Sequence, residues 1–123
     1  MIRVLVVDDH PVLRAGLEAV LRSEPGFACV GAAADRDELL VLLRRTRPNV
    51  VVLDRRLGAE DGLALCREIR SGPVAPEVVI YTANDDTTEE DAQDAGASGV
   101  IVKTRPVDDL FDAVRLAARR AVA

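Results

Sequence analysis

Apolar runs alternate with helical periods along the whole chain. Residues 2–7 (Ile-Arg-Val-Leu-Val-Val) are apolar apart from Arg3, which suits a strand buried on both faces of a parallel sheet. Pro11 then stands where a first helical turn tolerates it. Leu13, Leu17, Val20 and Leu21 recur at helical spacing, with Arg14, Glu18 and Arg22 on the opposite face. Glu24-Pro25-Gly26 ends this helix, and residues 27–34 read as a second strand. Asp35, with Glu38 three residues on, has the spacing of a capping box. It opens a helix whose buried stripe is Leu39, Leu42 and Leu43 and which Pro48-Asn49 stops. Val50 to Leu53 is a third strand, and residues 57–62, with two glycines, a loop. Residues 63–71 form a third helix, followed by the breakers Gly72, Pro73 and Pro76. Val78-Val79-Ile80-Tyr81 is a fourth strand, running into Thr82. Residues 86–96 predict a fourth helix, acidic and with only Ala92 and Ala95 to bury, hence loosely held. Residues 98–102 are a fifth strand ending in Lys103. Pro106 opens a last helix with Val107, Leu110, Phe111, Val114 and Ala117 or Ala118 inward.

Five strands alternating with five helices imply a parallel sheet covered on both faces. The expected architecture is α/β: a flavodoxin-like, doubly wound (βα)5 three-layer sandwich with strand order 2-1-3-4-5. Residues 1–123 are expected to form one domain. In such sheets ligands bind beyond the carboxyl ends of the strands, where the order reverses. Here that point lies between the first and third strands. The first ends in Asp8-Asp9 and the third in Asp54. Like charges about 4 Å apart at an effective dielectric near 20 repel by roughly 4 kcal/mol. Three converging carboxylates therefore call for a cation, and the pattern predicts a divalent one.

Composition narrows the function classes. The chain is 49% hydrophobic with three aromatic residues, Phe27, Tyr81 and Phe111, so Val, Leu, Ile and Ala must build the core. A net charge of −5 argues against a nucleic-acid surface, which needs clustered Lys and Arg. The basic clusters Arg44-Arg45-Thr46-Arg47 and Arg119-Arg120 read as helix C-terminal turns, where cations favour the dipole. Cys29 and Cys66 lack metal spacing and read as small core residues. Neither a membrane span nor a signal peptide is expected, and a cytoplasmic location is the default.

Thr82 ends the fourth strand and Lys103 the fifth. Singly, each polar residue has an ordinary explanation: Asp9 as a helix cap, Lys103 as a surface lysine. Jointly, three carboxylates, a hydroxyl and an ammonium fall at the one edge where this fold places ligands. Phosphoryl transfer to a carboxylate needs such a set. Mg²⁺ binds one or two carboxylates and shares phosphate oxygens, an aspartate serves as nucleophile, and Lys103 and Thr82 stabilise the transferred group. Asp54, alone on a central strand, is the expected nucleophile. A Mg²⁺-dependent phosphatase also passes through an aspartyl phosphate. Haloacid-dehalogenase enzymes carry Asp-x-Asp, however, whereas Asp8 and Asp9 are adjacent here. An interaction module without phosphorylation and a flavin-binding module are further alternatives; the second lacks a phosphate loop after the first strand.

The run Val4-Leu5-Val6-Val7-Asp8-Asp9-His10, with Asp54, Thr82-Ala83 and Lys103, resembles the receiver domain of bacterial two-component response regulators over essentially the whole chain. Residues 9–17 and Gly96-Ala97-Ser98-Gly99 resemble the NarL/FixJ (LuxR) branch most. The resemblance implies a phosphoacceptor switch rather than an enzyme. Asp54 would accept a phosphoryl group from a histidine kinase. Asp8, Asp9, Asp54 and the backbone carbonyl of Arg56 would hold Mg²⁺. Thr82 would move toward the phosphoryl group and Lys103 pair with it. A homodimer through the first or last helices fits the branch. So does transcriptional output through a DNA-binding domain, for which this chain has no counterpart. Three residues depart from the family pattern. Val100 stands where an aromatic switch residue is common. Gly58 replaces a proline, implying a more flexible loop. Thr104 replaces the proline after the lysine. Arg56 and Asn84 occupy positions that tune dephosphorylation.

Overall fold

The computed structural model describes residues 1–84 and 86–121. Five parallel strands form one sheet: β1 (Ile2–Val7), β2 (Phe27–Ala33), β3 (Val50–Asp54), β4 (Glu77–Thr82) and β5 (Gly99–Val102). Their order is β2-β1-β3-β4-β5, the expected one. The helices are α1 (Pro11–Ser23), α2 (Arg36–Thr46), α3 (Gly62–Arg70), α4 (Glu89–Asp94) and α5 (Val107–Ala121).

Strand alternation divides the core in two. Leu5, Val7, Val51, Leu53, Val78 and Ile80 point to the face covered by α2, α3 and α4. Val4, Val6, Val50, Val52 and Val79 point to α1 and α5, where Leu17, Leu21, Leu110, Phe111 and Val114 pack. Phe27 and Phe111 meet there with ring centroids 5.3 Å apart. The β1–β2 register slips between Val4 and Leu5. At that point Gly31 faces Leu5 so closely that a β-carbon would lie 3.2 Å from the leucine Cδ1.

Asp35 caps α2 by accepting the Glu38 amide at 2.9 Å. The Glu38 side chain reaches back to the Ala34 amide, one residue short of a full capping box. The basic clusters close α2 and α5, as their dipoles favour.

Four expectations are corrected. The fourth helix is shorter than 86–96: Thr88 and Asp91 form a capping box that starts it at Glu89, and Gly96 lies at φ 89° beyond its end. Part of residues 57–62 forms a small antiparallel ladder, Arg56–Leu57 with Glu60–Asp61, and Gly62 already belongs to α3. Leu13 is 52% exposed rather than inward, because the first turn of α1 stands at a cavity rim with Val12, Tyr81 and Lys103. Cys29 is only half-buried, whereas Cys66 is fully enclosed. Among the described residues, no helix is long and apolar enough to cross a membrane.

Candidate functional site

Register assembles the site. Val7 of β1 pairs with Leu53 of β3, so the next residues, Asp8 and Asp54, leave the sheet side by side. Asp54 pairs with Tyr81, and Thr82 with Val102. Thr82 and Lys103 therefore finish the adjoining strands at the same edge. Asp8, Asp54 and Thr82 are all buried, and for the two carboxylates that is unusual unless they are paired.

Lys103 is the partner. Its ammonium lies 2.8 Å from Asp8 Oδ2 and 3.2 Å from Asp54 Oδ2, and 5.7 Å from the centre of the Tyr81 ring. The side chains of Lys103, Asp8 and Asp54 are only 13%, 4% and 7% exposed. The two aspartates respond differently to this shared cation. Burial pushes Asp8 upward, but the Lys103 bond and the His10 amide at 2.9 Å outweigh it and hold the carboxyl below its ordinary value. Burial also pushes Asp54 upward, and the more distant ammonium and the Arg56 amide only partly offset it, so Asp54 stays raised. Lys103 loses solvation, yet the bond to Asp8 and the charge of Asp54 raise its affinity for its proton.

Asp9 is held from the other side. Gly58, at φ 62°, donates its amide to Asp9 Oδ2 at 2.9 Å. A proline in that position has neither the N–H nor access to that φ. The glycine read as a source of flexibility thus anchors the loop to the acidic cluster. The other oxygen, Asp9 Oδ1, is buried and has no hydrogen-bond donor among the described residues; the His10 ring nitrogen lies 3.2 Å away and bonds to Asp8 instead. Oxygens of Asp8, Asp9 and Asp54 and a His10 ring nitrogen lie within 4.8 Å of one another. A buried, unpartnered carboxylate oxygen in such a group fits a hard divalent cation with oxygen ligands.

The Thr82 hydroxyl accepts the Asn84 amide at 3.5 Å. Arg56 is turned away, paired with Asp86 at 3.3 Å on the exposed surface. Val100 is half-buried against the α3–α4 side of the core. Asp9 does not cap α1: His10 is its N-cap residue and makes no side-chain cap bond.

Two features of the site were not apparent in the sequence. Arg55, two-thirds enclosed or more, bonds the hydroxyl of buried Thr87 through Nε at 3.1 Å and pairs with Asp61. Gly62 packs so tightly on the carboxyl end of β3 that a β-carbon would lie 2.3 Å from the Asp54 carbonyl oxygen. Thr87 lies in a polar stretch with no periodicity to betray its burial. Gly62 shows only as a glycine beside a helix start.

Comparison with known proteins agrees with this geometry. Residues 4–115 match the response regulator receiver domain family. The transcriptional regulatory protein PdtaR of Mycobacterium tuberculosis is 36% identical over 118 residues, 96% of this chain and 57% of that protein. The DNA-binding transcriptional activator DevR/DosR of the same species is 38% identical over 116 residues, 94% of this chain and 54% of that protein. This chain thus spans little more than half the length of these relatives. A crystal structure of a LuxR-family two-component response regulator from Aurantimonas sp. SI85-9A1 superposes with a TM-score of 0.87 at 34% identity, covering 95% of this chain and 84% of that one. The chain belongs to the response regulator receiver family, among relatives of the LuxR branch.

Proposed function

We propose that this domain is the phosphoacceptor switch of a two-component pathway, with Asp54 taking a phosphoryl group from the phosphohistidine of a sensor kinase. The observation that carries this reading is the division of labour among the buried carboxylates. Asp8 is tied to Lys103 and His10, Asp9 is tied to Gly58 with one oxygen spare, and Asp54 stands beside them at the end of a central strand, the carboxylate that Lys103 holds less closely.

An Asp54 carboxylate oxygen attacks phosphorus while the P–N bond to the donor imidazole breaks, its electron pair staying on nitrogen, and the ring, already protonated on its other nitrogen, leaves as neutral imidazole. Asp8, Asp9 and Asp54, with the backbone carbonyl of Arg56, would hold Mg²⁺, which when bound neutralises charge between the phosphoryl oxygens and the nucleophile. Lys103 already contacts Asp54 and is placed to follow the new charge onto a phosphoryl oxygen. Thr82, whose hydroxyl proton is not used by the bond it accepts from Asn84, donates to another. Water later hydrolyses the acyl phosphate.

Transcriptional control is carried over from the relatives. A net charge of −5 leaves any DNA contact to another domain or partner. Such a switch works in the cytoplasm, and pairing through α1 or α5 would let a homodimer form. The test is incubation with Mg²⁺ and acetyl phosphate followed by intact mass. One phosphoryl adduct is expected in the wild type and none in Asp54→Asn. An adduct of equal yield in Asp54→Asn would overturn the assignment. Rapid turnover of many phosphate esters would favour a phosphatase.

A further inference from the structure

Arg55 follows the proposed phosphoacceptor directly, yet its side chain leaves the acidic cluster. It is 22% exposed, so most of it is enclosed. On one side its guanidinium pairs with Asp61, whose carboxylate also caps α3 through the Leu63 amide at 3.1 Å. On the same side its carbonyl accepts the Gly62 amide at 2.7 Å. That end of Arg55 is fastened to the start of α3.

On the other side Arg55 Nε donates to Thr87 Oγ1 at 3.1 Å. Thr87 is buried, and the next residue, Thr88, is the cap that starts α4. The neighbouring Arg56 reaches the same segment through Asp86. Two consecutive arginines at the end of β3 therefore grip two consecutive residues ahead of α4. The contacts differ in quality. Arg56–Asp86 is exposed and worth little, whereas Arg55–Thr87 is enclosed, and an unmatched guanidinium N–H there is costly. The helix it restrains has little else to hold it: α4 is six residues long, and Ala92 is its one buried member.

We propose that Arg55 is a positioning residue, a strut that fixes the segment leading into α4 in the arrangement where Thr82 accepts from Asn84, and so sets the threshold for switching. The inference rests on the phosphoacceptor reading above. Moving the Thr82 hydroxyl toward a phosphoryl oxygen would break the 3.5 Å bond it accepts from the Asn84 amide, and we expect that displacement to reach Thr87, five residues on. A contact made in the resting arrangement and lost in the phosphorylated one biases the equilibrium by its own net free energy. Deleting that contact should favour the phosphorylated arrangement.

The test uses beryllofluoride, formed from beryllium chloride and sodium fluoride with saturating Mg²⁺, as a phosphoryl mimic titrated calorimetrically. Thr87→Val keeps shape and removes the acceptor; Thr87→Ser keeps the acceptor; Arg55→Met keeps the apolar stem. Thr87→Val and Arg55→Met should each bind the mimic about three- to tenfold more tightly, the net worth of one hydrogen bond in an equilibrium constant. The double variant should match either single one, and Thr87→Ser should bind as the wild type does. If Arg55→Met fails to fold once Asp61 loses its partner, Thr87→Val decides alone. Unchanged or weaker binding by Thr87→Val, with wild-type binding intact and lost in Asp54→Asn, overturns the strut. Failure of the wild type to bind, or retained binding in Asp54→Asn, overturns the phosphoacceptor reading itself.

Discussion

Replacing Lys103 with methionine removes the one ammonium shared by two buried carboxylates while keeping an apolar stem of similar length. The magnitude follows from the geometry. The carboxylate oxygens of the cluster lie within 4.8 Å of one another, and two unit charges at that distance repel by about 3.5 kcal/mol at an effective dielectric near 20. The domain has one escape, which is to protonate Asp54, the acid already raised by burial. Starting from an ordinary carboxyl near 4, that costs at most about 4 kcal/mol at pH 7 and about 1.4 kcal/mol at pH 5, at 1.36 kcal/mol per pH unit. The expected loss of stability is therefore about 2–4 kcal/mol at pH 7 and about half that or less at pH 5. The sign follows from linkage: a carboxyl raised in the fold stabilises at low pH and loses that contribution as pH climbs through its folded value. Thermal melting in EDTA reads the loss as a fall of about 8–16 °C at pH 7, taking about 4 °C per kcal/mol. Millimolar Mg²⁺ should return more stability to the variant than to the wild type. A fall under about 3 °C in EDTA, or a penalty that grows on acidification, would refute the reasoning.

Two further outcomes follow. Gly62→Ala should destabilise the domain by about 1–3 kcal/mol in urea unfolding, because the new β-carbon would meet the Asp54 carbonyl oxygen at 2.3 Å and Arg55 Cα at 2.8 Å. Alanine's better helix propensity, worth about 1 kcal/mol, is too small to reverse this, and a stabilised variant would show the close packing to be wrong. Mg²⁺ should bind more weakly at pH 5 than at pH 7.5 by calorimetry, since Asp54 protonates above the ordinary carboxylate value and the metal needs it charged; affinity that rises on acidification would contradict the assigned direction.

The sheet and its edge were legible in the sequence because their signals are local and redundant. Each strand is a run of Val, Leu and Ile that stops at a polar residue, and alternation with helical periods leaves few topologies. The carboxyl-end position of Asp8, Asp9, Asp54, Thr82 and Lys103 follows from order alone. What order does not carry is side-chain direction across loops. Gly58 looked like slack where a proline is usual, but its amide is what fastens Asp9. Arg56 holds a position where the family tunes dephosphorylation, yet its guanidinium lies on Asp86. Thr87 had no pattern at all, since its burial depends on Arg55, 32 residues away. The fourth helix was overextended because acidic residues and alanines continue past both caps, and only the Thr88–Asp91 reciprocal bonds define its start. Leu13 keeps helical spacing with Leu17, but helical spacing predicts inward only where a neighbour covers the first turn.

The central claim is that Asp54, and not Asp8 or Asp9, carries the phosphoryl group. Acyl phosphates are reduced by borohydride to the alcohol, so aspartyl phosphate becomes homoserine and its position is retained as a mass change. The protein, phosphorylated with acetyl phosphate and Mg²⁺, reduced, digested and sequenced by tandem mass spectrometry, should show homoserine at position 54 alone. Homoserine at position 8 or 9, or none despite a phosphoryl adduct on the intact protein, would contradict the account.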